Sequence, residues 1–348
     1  MKKFNSKSCE EIMTTVYRPI EFCIDNLLAQ GLYILAGAPK VGKSWLALDM
    51  CLSIAKGEKV LGQQTTQGTA LYLCLEDSYV RIQNRLYEIT DEPAERLHFV
   101  IMSESIGNGL EEEIENFKNE HYDFKVVFID TLQKVRNESE SGYGTDYKEL
   151  SVMKALADKL EITIVVVHHT RKCADSDPFN MISGSTGLSG CVDGSMVLIE
   201  SKRGSRTAKL HCVGRDIENA EINLQFDSNL KKWIVTDEPL NCKNKDNIFL
   251  AALYVYLKKH IDFCGTASEL VNVLKSVSDE TFYPNRVTRD LVRNGYTLRK
   301  YGIDFQYKRT RNGRLIILHY DRERDSSDSK NGSGVTVNGV HKQYLANP

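Results

Sequence analysis

The run GAPKVGKS, Gly37 to Ser44, limits the folds open to this chain more than any other stretch. It fits the pattern G-x-x-x-x-G-K-[ST], with Gly37, Gly42, Lys43 and Ser44 in the fixed places. Such a loop works only between a buried strand and a helix, because the helix start and the inward-turned amides together make an anion cradle. Both flanks are present. LYILAG, from Leu32, is an apolar strand, and SWLALDMCLSIAKG carries apolar residues at helical spacing and stops at Gly57. The expected cradle for a nucleoside triphosphate is Gly37, Ala38, Pro39, Lys40, Val41, Gly42, Lys43, Ser44 and Trp45. Lys43 reaches the β- and γ-phosphates in this pattern, and Ser44 ligates Mg2+.

Short apolar runs then recur with helical or polar segments between them: ALYLCLE (70–76), HFVIMS (98–103), VVFID (126–130), ITIVVVHH (162–169) and SMVLIE (195–200). Continuous apolar strands alternating with helices such as SYVRIQNRLYEI and DYKELSVMKALADKL predict an α/β domain with a mostly parallel sheet flanked by helices. RTAKLHCV, INLQFD and KWIVTD follow as consecutive strands and predict an antiparallel edge or hairpin. At 348 residues the chain has room for a second, smaller domain. The expected division is 1–240 for the P-loop domain, a polar linker at 241–247, a basic domain at 248–324, and a disordered tail at 325–348 rich in Ser, Asn, Asp and Gly.

The nine Cys include no C-x-x-C pair, and several fall in apolar runs, so reduced thiols fit better than disulfides or a metal site. No apolar run has the length of a membrane span, and MKKFNSKSCEE lacks the apolar stretch of a signal peptide. A cytoplasmic protein without membrane contact is expected.

The chemistry is expected at strand ends. VVFID closes on Asp130, where a P-loop protein needs an acid for its Mg2+. LYLCLED delivers Glu76 and Asp77. Phosphoryl transfer to water needs a carboxylate to position that water, and Glu76 continues the strand line, while Asp77 is placed to cap the helix that starts at Ser78. ITIVVVHHTRK ends in His168 and His169, and an unpaired buried imidazole is costly, so one of them is expected to face the nucleotide. Two long polar loops, 133–146 and 171–187, leave the same rim, where ligand loops of parallel sheets gather. The second has mixed charge, with Lys172, Asp175 and Asp177. Arg215 lies in a turn between strands, with Arg206 and Lys209 as rivals for a charge-neutralising role.

Beyond the linker, three helix-like segments are followed by two strands around Arg311-Asn312-Gly313, the layout of a winged helix-turn-helix. From Pro284 to Tyr320 there are nine Lys and Arg against Asp290 and Asp304, about +7 in a chain of net charge −2. Such local excess points to phosphate backbones. Arg286, Arg289 and Arg293 share one helix face, with Arg311 and Arg314 on the wing.

Taken together, GAPKVGKS, LYLCLEDS, VVFIDTLQ, VVVHHTRK, ISGSTGLSGCVDGSMVLIE and VGRD resemble the RepA-type branch of the RecA-like ATPases, over roughly residues 15–240. The resemblance implies a RecA-like fold and ATP with Mg2+ as ligands. It also implies a ring, hexameric in the type member, that serves the replication of plasmids, phages and other mobile elements. The residue matching Glu76 is then the water-activating glutamate, that matching His169 the γ-phosphate sensor, and that matching Arg215 a finger acting on the neighbouring subunit. The two long loops would line a channel for single-stranded DNA. The winged tail lies outside the minimal helicase. Two functions stay open beside each other: a DNA-stimulated helicase or translocase, and an ATP-controlled DNA-binding initiator, loader or regulator. An ATPase acting on a protein partner is the third, disfavoured by the basic tail.

Overall fold

The computed structural model describes residues 6–136, 143–171, 175–182, 190–202, 204–236, 245–310 and 313–325. The chain divides into two units: Ile20–Asn241, and Met1–Pro19 together with Cys242–Pro348. The first nineteen residues therefore group with the C-terminal unit, whereas the sequence suggests that they open the P-loop domain. The cause is local packing. Helix α1 (Cys9–Thr14) lies against the helix Pro284–Arg293. Val16 presses so close to Gly295 that a Cβ there would stand 2.7 Å from it. The Tyr296 ring carries Arg18 and Lys300 at 5.9 and 5.0 Å from its centroid.

The larger unit opens with a short antiparallel ribbon, β1 (Phe22–Ile24) with β2 (Leu28–Ala29). It continues through β3 (Gly31–Gly37), α2 (Lys43–Lys56), β4 (Thr69–Cys74), α3 (Tyr79–Ile89), β5 (Leu97–Val100), α4 (Leu110–Glu120) and β6 (Phe124–Asp130). Then come α5 (Leu132–Val135), α6 (Tyr143–Leu160), β7 (Thr163–His169), β8 (Gly194–Glu200), β9 (Thr207–Gly214), β10 (Ala220–Asp227) and β11 (Lys232–Val235). Nine strands form one sheet in the order β11-β10-β9-β8-β3-β7-β6-β4-β5. From β8 to β5 every pairing is parallel, and β9, β10 and β11 add an antiparallel edge.

The middles of the central strands are apolar on both faces because both faces are covered, and their two-residue period sorts side chains between two cores. Tyr33, Leu35, Val126, Phe128, Val165 and Val167 pack with Leu46, Met50 and Ile54 of α2. Leu32, Ile34, Val127, Ile129, Ile164 and Val166 pack with Ile114 of α4 and with Met153 and Leu156 of α6. Burying such an aliphatic side chain stabilises by about 1.5–3 kcal/mol, so a one-residue slip in any of these strands would exchange the contents of both cores. That parity also decides which strand-end residues reach the α2 face.

Loop 133–146 is shorter than the sequence suggests. Lys134 lies within α5 and α6 begins at Tyr143, leaving 137–142 between them outside the described residues. The 171–187 segment contains a helical turn, Pro178–Met181, capped by the Asp177 carboxylate on the Phe179 amide; residues 172–174 and 183–189 are not described.

The smaller unit runs helix Lys245–His260, strand Asp262–Gly265, helix Ala267–Leu274, helix Pro284–Arg293, helix Gly295–Lys300, then the paired strands Tyr301–Thr310 and Gly313–Asp325. The short strand Asp262–Gly265 joins these two as a third, antiparallel member, which the sequence reading missed. Thr266 and Glu269 form a reciprocal capping box that fixes the start of the second helix. The tail 326–348 lies outside the described residues. Among the described residues no helix is long and apolar enough to cross a membrane.

Candidate functional site

Strands β3, β4, β6, β7 and β8 all end on one rim, since Gly37 pairs with His169 and Leu198, and Cys74 with Asp130. The P-loop leaves β3 there. Gly42 has φ 98°, a left-handed turn that only glycine adopts without strain, and a Cβ on it would sit 3.1 Å from the Trp233 indole. Val41 N donates to Ala38 O, and α2 starts at Lys43 with Gly42 as its N-cap. Of the cradle residues, Ala38, Pro39 and Lys40 are exposed, Val41 is buried, and Gly42, Ser44 and Trp45 are half-buried.

Lys43 is buried, and its ammonium donates to Gly37 O at 2.8 Å and Ala38 O at 2.9 Å. Burial pulls it down from the usual lysine range to about 8, with Asp130 and Glu76 opposing that shift through their charge. Phosphate oxygens placed in the loop would restore its proton. Nucleotide binding above pH 8 is therefore expected to take up a proton. Calorimetric heats measured at about pH 8.5, just above that value, in buffers of different ionisation enthalpy should differ, and the difference should vanish in Lys43→Ala.

Parity carries the rest. Positions 126, 128 and 130 of β6 face α2, so Asp130 meets Ser44: its Oδ2 accepts from Ser44 Oγ at 2.7 Å. Positions 165, 167 and 169 of β7 face the same way, and His169 Nδ1 lies 3.4 Å from Lys43 Nζ. His168 points to the opposite face and is buried. Glu76, two residues beyond β4, is exposed on the rim and accepts from Thr131 Oγ1 at 3.3 Å. Lys43, Ser44, Glu76, Asp130 and His169 thus converge. The glycine turn, buried ammonium and hydroxyl–carboxylate pair fit a triphosphate with a hard divalent cation, which favours oxygen donors.

Two neighbours of this group escaped the sequence reading. Tyr72, buried in β4 on the α2 face, donates to Asp130 Oδ2 at 2.8 Å and so orients that carboxylate. Its only signal in the sequence is parity. Tyr72→Phe keeps the ring and removes the donor, and an outer-sphere loss of this kind is expected to raise the half-saturating Mg2+ concentration about tenfold. The Mg2+ dependence of turnover measures it. Trp233, whose Nε1 donates to Gly42 O at 3.3 Å, arrives from 191 residues away and has no local signal.

Other expected residues lie elsewhere. Arg215 follows β9 at the level of Gly194 and Tyr33, the far end of β3, about 13 Å from the P-loop rim at strand rise. Its side chain is 61% exposed and its Nη1 lies 3.5 Å from Asp193, which is itself buried, accepts from Leu32 N, and pairs with Lys154 at 2.9 Å. Arg206 instead sits in the β8–β9 turn, on the P-loop rim, and donates to Ser228 Oγ. Asp77 does not cap α3: Ser78 occupies that position, and the Asp77 carboxylate turns to Arg85 at 2.6 Å. In the smaller unit Arg286, Arg289 and Arg293 are exposed on one face of their helix, opposite the buried Val287 and Leu291. Arg311 and the side chain of Arg314 lie outside the described residues.

Residues 8–175 match a family model described as an AAA domain. The chain is similar to a solved structure described as an ATPase domain, at 13% identity and TM-score 0.51, over 60% of this chain and 85% of that one. It is also similar to a DnaB-like replicative helicase solved for its interactions with primase, at 14% identity and TM-score 0.47, over 59% of this chain and 57% of that one. At such identities the first of these likenesses is one of fold. Sheet order and the first of these likenesses agree on the fold: the larger unit is a RecA-like α/β domain that carries a P-loop between β3 and α2.

Proposed function

We propose that this protein hydrolyses ATP as a ring-forming, RepA-like helicase or translocase on DNA, in the cytoplasmic replication of a plasmid, phage or other mobile element. The observation that carries the hydrolytic part is the convergence of Lys43, Ser44, Glu76, Asp130 and His169 on one rim. Glu76 takes a proton from a water whose oxygen attacks the γ-phosphorus, while the bond to the β–γ bridging oxygen breaks and Lys43 offsets the charge that gathers there. Ser44 and Asp130 would hold Mg2+, which when bound neutralises the β- and γ-oxygens. His169, beside Lys43, reports whether a γ-phosphate is present.

A ring closes by head-to-tail contacts, in which the surface a subunit offers differs from the surface it receives. Arg215, far from its own P-loop and well exposed, suits a role on the neighbour's nucleotide; Arg206 is the rival on the P-loop rim. Arg215→Ala should abolish turnover while leaving nucleotide binding intact, and if Arg206→Ala does so in its place, the finger is Arg206.

DNA is the proposed partner of the smaller unit. Its order of helix, strand, three helices and paired strands supports a winged-helix reading, and Arg286, Arg289 and Arg293 are exposed on one helix face, with Asp290 beside Arg289. That unit favours the second reading, an ATP-controlled initiator, loader or regulator without unwinding. The separating experiment measures ATP turnover with and without single-stranded DNA, alongside native mass. A hexamer whose turnover rises with DNA supports the motor. A monomer indifferent to single strands, yet binding duplex, supports the regulator.

A further inference from the structure

Glu76 reaches the rim on a turn that holds it weakly: it is exposed and its described contact with Thr131 is long, at 3.3 Å. A base that must meet a water within hydrogen-bond reach of the γ-phosphate needs firmer placement. The next residue supplies it. The Asp77 amide donates to Cys74 O at 3.1 Å, closing the turn, and its carboxylate is 11% exposed. One oxygen of that carboxylate takes Arg85 at 2.6 Å. The other is buried with no hydrogen-bond donor among the described residues, and Arg81 stands 3.8 Å from it. A buried oxygen without a donor is unfavourable, which a group serving only to fasten α3 would not require.

Arg85 meets the nucleotide loop on its other side. Its guanidinium lies over Trp45, 5.8 Å from the ring centroid, and Trp45 directly follows Ser44. Trp45 packs on Phe226 at 6.3 Å and Phe226 on Trp233 at 5.3 Å, whose indole donates back to Gly42. Arg85 thus touches both the carboxylate beside Glu76 and the first turn of the P-loop helix.

We propose that Arg85 is a positioning residue for hydrolysis: lying over the Trp45 ring and paired with Asp77, it fixes the Glu76 turn relative to the phosphates. This rests on the assignment of Glu76 as the base. A planar guanidinium can stack and pair at once, whereas an ammonium can only pair.

The test compares Arg85→Ala, Arg85→Lys, Asp77→Asn and Glu76→Gln in the full chain, reading kcat, affinity for a non-hydrolysable ATP analogue, and thermal midpoint. Arg85→Ala and Asp77→Asn should lower kcat about 10- to 100-fold with analogue affinity changed less than about twofold, and Arg85→Lys should recover part of the loss. In a Glu76→Gln background Arg85→Ala should cost nothing further, because residues acting as one unit are not additive. If Glu76→Gln is silent, the assignment of the base fails. If Glu76→Gln abolishes turnover while Arg85→Ala leaves kcat unchanged, or lowers kcat only together with affinity and thermal midpoint, the positioning role alone fails.

Discussion

Glu76→Gln is expected to lower ATP turnover by about two to four orders of magnitude while leaving nucleotide affinity near its starting value. Gln keeps the shape and one acceptor oxygen for Thr131 but cannot take a proton. Glu76 is exposed on the rim, so the amide replaces a solvated carboxylate and the fold should be unaffected. Lys43→Ala behaves differently. It removes a buried ammonium that donates to Gly37 O and Ala38 O, so nucleotide affinity and turnover fall together. Rapid-quench turnover, with equilibrium binding of a fluorescent nucleotide, separates the two patterns. If Glu76→Gln stays within about tenfold of the starting rate, the base lies elsewhere, with His169 the next group in line.

The second large effect is expected at the basic helix. Replacing Arg286, Arg289 and Arg293 together by Ala should reduce the slope of log affinity for duplex DNA against log salt by roughly 2.7, or about 0.9 for each phosphate left without its arginine. At low salt the affinity itself should fall by roughly two to three orders of magnitude. The three side chains are exposed at positions i, i+3 and i+7, while Val287 and Leu291 anchor the other face, so the substitutions leave the core alone. Arg289 also lies 3.4 Å from Asp290, and should be the weakest contributor singly. The measurement belongs in the full chain, because residues before Pro19 pack against this helix and the next. An unchanged salt slope would move DNA binding to the larger unit.

Much of this site is legible in the chain because a P-loop is short and local. Gly37 to Ser44 specify the turn, and the apolar runs ending in Asp130 and His169 specify parallel strands whose ends must share a rim. Parity goes further: counting by twos from the α2-facing core separates His169 from His168 and marks Tyr72 as a neighbour of Asp130. What stays hidden depends on distant segments meeting. Trp233 reaches Gly42 through the antiparallel edge, and nothing near position 233 announces that meeting. Asp77 reads as a helix cap because local spacing favours one, but Ser78 takes the cap position and the Asp77 carboxylate pairs with Arg85, further along the helix. Arg215 stands out by chain position alone, which gives no hint of which end of the sheet a turn occupies.

The grouping of Met1–Pro19 with Cys242–Pro348 has a consequence for synthesis. Val16 and Arg18 are synthesised long before their packing partners Gly295 and Tyr296 in the last third of the chain. At about 5–20 residues per second, the stretch from Val16 to Gly295 takes roughly 14–56 s to make. Ile20–Asn241 can close its own sheet during that interval, while Val16 still lacks Gly295 and Arg18 still lacks Tyr296. A ribosome stalled after residue 241 should therefore display a folded nucleotide-binding body with a protease-sensitive leader, and protection of that leader should appear only once Gly295 has emerged.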